Sequence, residues 1–175
     1  MPKVVFKLGD DISTDVIYPG RYMATVLPTE TPQFAFADTA EFNARLKAKQ
    51  IPPGSVVVAG QNFGCGSSRE QAVSCLKGHE LVIVARGFAR IFLQNSINLG
   101  LRTVVCPTVQ ASEGDELEVR ANEVHNLTSG QSFPVVPMPK SRQAIIDAGG
   151  LIAYTRDRLL EREPQAEDHP GLSAT

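Results

Sequence analysis

The stretch of sequence best suited to chemistry runs from residue 62 to residue 70, Asn-Phe-Gly-Cys-Gly-Ser-Ser-Arg-Glu. Its glycines allow the backbone to adopt positive φ and to approach a ligand closely. A helix is predicted to begin at Arg69, and the amides at a helix amino terminus favour anions. The guanidinium of Arg69 can bind a carboxylate through two parallel hydrogen bonds. The predicted anion site consists of a backbone nest at Gly64, Cys65 and Gly66, followed by Ser67, Ser68 and Arg69.

A purely structural interpretation explains the same stretch. Ser68 followed by Gln71 matches the Ser-x-x-Gln capping box, which satisfies amides at the start of a helix. The glycines would then serve only to turn the chain. The motif is neither a Walker A loop, since the lysine is missing, nor a dinucleotide-binding fingerprint. Spacing alone leaves the functional and the structural interpretations open.

A second polar constellation precedes this stretch. Residues 9–15 read Gly-Asp-Asp-Ile-Ser-Thr-Asp, and residues 19–25 read Pro-Gly-Arg-Tyr-Met-Ala-Thr. Aspartate and serine in such clusters commonly bond their own backbone in turns, but Asp15 could instead hold an arginine or a hydroxyl in a site. We predict one long irregular segment from residue 10 to residue 32. Long ordered loops in compact domains are usually functional or mobile.

Strands and helices alternate around these motifs, which predicts an α/β domain. β-Branched runs indicate buried parallel strands, and a more polar alternating pattern after Pro107 indicates a small antiparallel meander. Phe88, Ile91 and Phe92 are predicted to face inward from one helix. The predicted strands are 4–6, 55–59, 81–85, 102–106, 117–119, 124–127 and 132–136, and the predicted helices are 39–50, 69–77, 88–99, 141–148 and 151–160.

Composition limits the class of protein. The 175 residues carry a formal net charge of −2, which gives no electrostatic reason to expect nucleic acid or an anionic membrane as a partner. The apolar runs are too short to cross a bilayer, and the amino terminus lacks a signal-peptide pattern, so we expect a cytoplasmic protein. We predict one domain over residues 1–160. The charged, apolar-poor segment 161–175 is predicted to be a disordered tail.

The three cysteines, Cys65, Cys75 and Cys106, form an odd set without a Cys-x-x-Cys spacing. This pattern supports neither a disulfide framework nor a zinc site, and it cannot assemble an iron–sulfur cluster. We therefore expect this chain to bind no metal. The local sequence also offers no acid–nucleophile pattern around a histidine, so a Ser-His-Asp hydrolase is not supported.

Taken together, the order and spacing of these motifs resemble the small subunits of isopropylmalate isomerase, which are homologous to the mobile fourth domain of aconitase. The resemblance is strong from Val4 to Cys106. It implies a swivelling β/β/α domain with a mixed-sheet or barrel-like core flanked by helices. It also implies a hydro-lyase that interconverts 2- and 3-isopropylmalate in leucine biosynthesis. Such an enzyme would be active only with a large subunit that carries a [4Fe–4S] cluster.

The same resemblance assigns roles to individual residues. Ser67 matches the general base, and Arg69 matches the arginine that binds a carboxylate of the hydroxy-dicarboxylate substrate and supports the serine alkoxide. Ser68 matches a serine that contacts the substrate. Asp15 matches an acid that positions a cationic partner. Tyr22, Met23 and Ala24 match the loop that contacts the variable group of the substrate.

The chain departs from the common family pattern at two positions. Gln71 stands where many relatives have histidine, which removes any hydrogen-bonding or pKa-tuning role of an imidazole there. Ala24 stands where relatives that act on a third carboxylate have arginine. Burying a carboxylate beside alanine would cost several kcal/mol, whereas an alkyl group gains about 0.8 kcal/mol per buried CH₂. We therefore expect an alkylmalate substrate, unless Arg21 reaches in to bind a carboxylate.

Two alternatives remain open from the sequence. One is another hydro-lyase of the same superfamily, such as a dimethylmalate or methylmalate dehydratase or a homoaconitase. The other is a non-catalytic module that uses the glycine-rich loop only to bind a carboxylate. The second alternative predicts that the chain binds its ligand alone, and that replacing Ser67 with alanine changes no enzyme activity.

Overall fold

The computed structural model describes residues 1–162 and contains a four-stranded parallel sheet at its centre. Its strands lie in chain order, so each pairs with the next one in the sequence. Runs of valine, isoleucine and alanine form the two central strands, because a parallel strand is covered on both faces and needs apolar side chains on both. The strands are β1 (Val4–Lys7), β2 (Val56–Ala59), β3 (Val82–Ala85) and β4 (Thr103–Val105).

Helices cover one face of this sheet. Val57, Ile83 and other residues of the central strands pack against buried residues of the helices, such as Leu76 and Phe92, in one continuous apolar cluster. The last two helices pack against each other and against the helix that precedes β4. The helices are α1 (Thr14–Ile17), α2 (Ala40–Lys47), α3 (Glu70–Gly78), α4 (Arg90–Leu99), α5 (Lys140–Asp147) and α6 (Leu151–Arg162).

An antiparallel meander covers the opposite face of the parallel sheet. It consists of β5 (Leu117–Val119), β6 (Glu123–Asn126) and β7 (Gln131–Pro134). A second apolar cluster lies between the two sheets and includes Val84 from β3 and Leu117 from β5. The layers therefore follow the order β/β/α, which confirms the expected fold class.

The strands form two separate sheets rather than one mixed or barrel-like sheet. An isolated antiparallel bridge from Lys3 to Glu116 connects the two sheets, together with backbone hydrogen bonds such as that from the Val136 amide to the Val105 carbonyl. Successive residues of β2 face different layers: Val56 and Val58 face the meander, while Val57 faces the helices. The parallel sheet is therefore the middle layer, covered on both faces.

The predicted ends of the helices and strands lie within three residues of the observed ends, but the segment from residue 10 to residue 32 is not uniformly irregular. It holds α1 and the 3₁₀ turn Gly20–Tyr22, and a second 3₁₀ turn, Thr31–Phe34, begins at its end. Helix α6 continues through Arg162, two residues beyond the predicted end of the domain. The remainder of the predicted tail, residues 163–175, lies outside the described residues. Over residues 1–162, no helix combines the length and the apolar character needed to span a membrane.

Candidate active site

The glycine-rich stretch forms the loop between β2 and α3, at the carboxyl edge of the parallel sheet. Gly64 and Gly66 both have positive φ, +82° and +92°. A Cβ added at Gly64 would lie 2.5 Å from the Cβ of Phe92 and closer still to its ring. The Gly64 amide donates a hydrogen bond to the Ile12 carbonyl at 2.7 Å. Gly64 therefore allows the loop to pack directly on α4, and its amide is already engaged.

Helix α1 holds the two polar motifs together. The Thr14 amide donates to the Cys65 carbonyl at 2.8 Å, and the Thr14 hydroxyl donates to the Ser67 carbonyl at 2.9 Å. Thr14 is buried, and Ser13 caps α1 by accepting from the Val16 amide. The two motifs, more than 50 residues apart in sequence, thus form one site.

An ion pair between Arg69 and Asp15 lies at the centre of this site. One terminal nitrogen of Arg69 donates to the Asp15 carboxylate and, at 3.4 Å, to the Tyr18 carbonyl. The Arg69 side chain is only 16% exposed, whereas that of Asp15 is 60% exposed. Gly20 packs against the pair, since an added Cβ would approach both partners at 3.3 Å. Asp15 thus fixes the orientation of a largely buried guanidinium, whose Nε is buried without a hydrogen-bond partner among residues 1–162.

Ser67 and Ser68 are exposed and open onto a cleft of about 310 Å³. Arg69 and Thr14 also line this cleft, and its other wall is the start of α4, with Arg90, Ile91 and Asn95. Sequence reasoning missed Arg90 and Asn95 because no local motif distinguishes them from other polar residues of a helix. The prediction that Ile91 faces inward was wrong: this side chain is 52% exposed, because Phe92 takes the buried position and the next residue around a helix is turned by about 100°.

The predicted capping box is also wrong. Helix α3 begins at Glu70, and its N-cap residue is Arg69, which makes no side-chain capping hydrogen bond. Arg69 keeps an extended backbone, so the helix starts beyond the reach of Ser68. The Gln71 side chain instead donates to the Met23 carbonyl at 3.4 Å. A helix cap therefore does not account for Ser68, and Gln71 ties the loop of residues 22–24 to α3.

The loop that was expected to contact the variable group of the substrate lies beside the Arg69–Asp15 pair rather than in the cleft. The Tyr22 ring stacks on Phe34, with ring centroids 4.1 Å apart, and the Tyr18 hydroxyl donates to the Tyr22 carbonyl at 3.1 Å. Tyr22, Met23 and Ala24 are absent from the residues that line the cleft within the described chain. Met23 and Ala24 are exposed, so this loop presents its surface outward, next to the site.

Arg21 is engaged elsewhere. Both of its terminal nitrogens donate to Asp38, one of them at 3.2 Å, and its guanidinium lies 4.7 Å from the centre of the Tyr22 ring. The hydrogen bonds from Arg21 hold the pKa of the Asp38 carboxyl below its ordinary value. The possibility that Arg21 binds a substrate carboxylate therefore requires this pair to open first.

The cysteines occupy three unrelated places. Cys65 lies half-buried in the glycine-rich loop, while Cys75 and Cys106 are buried in the two apolar clusters. In the part of the chain that the structure describes, no three His, Cys, Asp or Glu side chains converge as metal ligands. The side chains of residues 1–162 therefore do not form a donor set that fits an iron–sulfur cluster.

Alkylation by iodoacetamide should separate these cysteines. Burial raises the pKa of the Cys75 and Cys106 thiols, and thiolate is the reactive form, so both should stay unmodified in the folded protein. We expect mass spectrometry to find one label per folded chain, on Cys65, and three labels after unfolding. Modification of Cys75 at the same rate as Cys65 would contradict the packing described above.

Comparisons with known proteins agree with this geometry. The sequence profile of the aconitase C-terminal domain matches residues 11–108, which include the stretch 62–70 and all but the first two residues of the motif 9–15. The 3-isopropylmalate dehydratase small subunit of Methanosarcina acetivorans is 41% identical over 162 residues, 90% of this chain and 97% of that protein. The isopropylmalate/citramalate isomerase small subunit of Methanocaldococcus jannaschii is 39% identical over 165 residues, 91% of this chain and 95% of that protein.

A solved structure gives the same result for the fold. The crystal structure of 3-isopropylmalate dehydratase from Methanocaldococcus jannaschii matches with a TM-score of 0.81 and 36% sequence identity, covering 91% of this chain and 95% of that chain. The resemblance inferred from the motifs is therefore confirmed over nearly the whole length of the relatives. The chain belongs to the family of 3-isopropylmalate dehydratase small subunits, which contain the aconitase C-terminal domain.

Proposed function

We propose that this chain is the small subunit of a two-subunit hydro-lyase that interconverts 2-isopropylmalate and 3-isopropylmalate in leucine biosynthesis. The observation that carries the proposal is the placement of an exposed Ser67 beside an arginine that Asp15 holds in position. The names of the relatives supply the substrate. We place the reaction in the cytoplasm, where the three free cysteines would remain reduced.

In this proposal Ser67 is the general base that removes the proton from the carbon next to a substrate carboxylate. A serine hydroxyl is a poor base in water, so the negative charge on its oxygen needs donors and a nearby cation. Arg69 supplies the cation. We assign the donor role to the loop amides of Cys65 and Gly66, because the Gly64 amide already donates to the Ile12 carbonyl and Gly66 lines the cleft together with Ser67.

The hydroxyl that leaves during dehydration would be stabilised by a Lewis acid, and among residues 1–162 no three His, Cys, Asp or Glu side chains converge to hold a metal ion. We assign that role to a [4Fe–4S] cluster in the large subunit. The small subunit then contributes one wall of a shared site, with Ser67, Ser68 and Arg69 facing the substrate. The exposure of both serines supports this division, because a complete site would enclose them.

The substrate preference is proposed from the loop of residues 22–24. Ala24 offers no charge to a third carboxylate, and the adaptable side chain of Met23 is 43% exposed beside it. Arg21 donates hydrogen bonds to Asp38, so its guanidinium is engaged there rather than by a third carboxylate of the substrate. An alkyl substituent on the malate backbone fits these residues better than a carboxylate does.

Ala24→Arg tests this preference. The new guanidinium should bind a third carboxylate, and it should shift the ratio of kcat/KM values for homocitrate and isopropylmalate by about tenfold to a hundredfold toward homocitrate. Steady-state kinetics of the assembled enzyme measure the ratio. Ala24→Gln, which adds bulk without charge, serves as the matched control. If the ratio of kcat/KM values were unchanged in Ala24→Arg, the loop of residues 22–24 would not contact the variable group of the substrate.

A second candidate substrate is citramalate. The relative from Methanocaldococcus jannaschii is named for both isopropylmalate and citramalate, and it covers 91% of this chain. Citramalate carries a methyl group, which Ala24 and Met23 would also accommodate. The two substrates differ only in the size of the alkyl group, so the relative kcat/KM values decide between them.

Co-expression with a family large subunit, followed by anaerobic cluster reconstitution, provides the direct test of the function. Absorbance of the alkene intermediate would be followed with isopropylmalate, citramalate and homocitrate as substrates. Turnover of isopropylmalate supports the proposal. Turnover of citramalate alone would assign the enzyme to a pathway other than leucine biosynthesis. Ligand binding by this chain alone, without turnover in any complex, would favour the non-catalytic carboxylate-binding module.

A further inference from the structure

We propose that Arg90, the first residue of α4, binds a substrate carboxylate and is the second arginine of the site. This inference rests on the proposed function, because it assumes a substrate with two carboxylates. Arg90 lines the same cleft of about 310 Å³ as Ser67, Ser68 and Arg69, from the opposite wall. Its assignment follows from the charges, the exposure and the apolar neighbours in that cleft.

The charge of Arg69 is largely committed within the protein. Its guanidinium pairs with Asp15, also donates to the Tyr18 carbonyl, and is only 16% exposed. A hydroxy-dicarboxylate brings two negative charges into the cleft, and a carboxylate that loses water without gaining a partner is strongly disfavoured. Arg69 can meet one carboxylate at most, so the second carboxylate needs another donor, either on this chain or on the large subunit.

Among residues 1–162, Arg90 is the other cation that lines the cleft. It is exposed, and among residues 1–162 no carboxylate lies within ion-pair distance of it. A guanidinium presents two parallel donors that match a carboxylate in geometry. The first turn of α4 contains no acidic residue, and no side chain caps its amino terminus, so the local field also favours an anion.

The residues next to Arg90 fit the rest of an alkylmalate. Ile91 is 52% exposed and lines the same cleft, which gives an alkyl group an apolar surface within reach of the arginine. Asn95, one turn further along α4, adds a neutral polar group. The α4 wall of the cleft therefore presents a cation, an apolar side chain and an amide. The opposite wall presents Ser67, the proposed base.

Packing contacts fix the start of α4, which carries Arg90, relative to the loop that carries Ser67. Phe92 follows two residues later and is 2% exposed. It packs against Gly64 in the loop between β2 and α3 that carries Ser67 and Ser68, here called the serine loop. The Ala89 amide donates to the Phe63 carbonyl at 2.9 Å, which ties the start of α4 to the same loop. The start of α4 and the serine loop thus hold a fixed separation, as substrate binding between them requires.

Arg90→Gln in the complete two-subunit enzyme tests the proposal. We expect KM for 3-isopropylmalate, and its Kd measured by calorimetry, to rise about tenfold to a hundredfold, which is the usual effect of losing a charge-assisted hydrogen bond. Arg90→Lys should recover only part of the loss, because lysine lacks the paired donors. Arg102→Gln, an exposed arginine that does not line this cleft, should leave both constants unchanged.

A second experiment tests whether the loss of affinity in Arg90→Gln arises from a substrate carboxylate. The two monoamides of 3-isopropylmalate each remove one carboxylate charge from the ligand. One of them should bind the wild-type enzyme about as weakly as Arg90→Gln binds the dicarboxylate, and it should lose little further affinity in Arg90→Gln. The proposal would be overturned if, for both monoamides, the loss of affinity from amidation and the loss from Arg90→Gln were fully additive.

Two other results would also overturn it. Unchanged KM and Kd in Arg90→Gln would remove Arg90 from the substrate site. Weaker association of the two subunits, measured by analytical ultracentrifugation, with normal substrate affinity in the assembled fraction, would make Arg90 a contact to the large subunit instead. A wild-type enzyme that acts on citramalate rather than isopropylmalate would contradict the proposed substrate only, and the Arg90 variants would then be compared on citramalate.

Discussion

Replacing Ser67 with alanine is expected to lower kcat of the assembled enzyme by about a thousandfold, within the range that a positioned general base contributes. The exposed side chain opens onto the cleft beside Arg69, where it can meet the substrate carbon. Steady-state kinetics with isopropylmalate would measure the change. KM should move little, because the alanine variant keeps Arg69, to which the proposal assigns a substrate carboxylate.

The fold should tolerate this substitution. In the described chain, the hydrogen bonds of Ser67 run through its backbone carbonyl, which accepts from the Thr14 hydroxyl and from the Arg69 amide. Alanine preserves that carbonyl, so we expect the free energy of unfolding to change by less than about 0.5 kcal/mol. A normal melting temperature together with lost turnover would therefore locate the defect in chemistry.

Ser68→Ala is the matched control, because Ser68 is the exposed neighbour on the same cleft. It should lose about fivefold in kcat/KM, the effect of one neutral hydrogen bond to the substrate. If Ser67→Ala retained activity within twofold of the wild type, Ser67 would not be the base. The carboxylate-binding module would then become the better explanation of the serine loop.

The motifs in the sequence were sufficient to predict that Ser67, Arg69 and Asp15 belong together, and the structure joins Arg69 with Asp15 in an ion pair. The valine-rich strands were equally clear, since a run that is apolar on both faces predicts a strand packed in the middle of a three-layer domain. Local pattern and tertiary arrangement agree for these features.

Other features could not be predicted because tertiary contacts decide them. The sequence Ser-x-x-Gln fits a capping box, yet Gln71 reaches the Met23 carbonyl and the helix starts at Glu70. Ile91 and Phe92 are both large and apolar, and only the packing of the serine loop on α4 decides which of them is buried. Arg90 belongs to the cleft for the same reason, because α4 lies against a loop that is distant in sequence.

Gly64→Ala is expected to destabilise the protein by about 2–5 kcal/mol, the sum of a backbone cost and a packing cost. A non-glycine residue at φ +82° costs about 1–2 kcal/mol. The added Cβ would also lie 2.5 Å from the Cβ of Phe92, and overpacking in a core typically costs about 1–3 kcal/mol. For a domain of this size the melting temperature should fall by about 10 °C, measured by calorimetry.

Gly66→Ala separates the two effects. Gly66 has a similar φ of +92°, but its added Cβ would meet Thr14 and Ser13 at ordinary distances of 3.5 Å or more. It should therefore show the backbone cost alone, about 1–2 kcal/mol. If the two alanine variants melted at the same temperature, contact with Phe92 would not be what requires glycine at position 64.

A double substitution tests the same contact from the other side. Phe92→Leu shortens the side chain that the new methyl group would strike, so Gly64→Ala should cost less in that background than in the wild type. The coupling has a functional consequence, because the same contact fixes the distance between the serine loop and the start of α4. If Ser67 and Arg90 act on one substrate from opposite walls, any movement of the loop away from α4 should raise KM even where the domain remains folded.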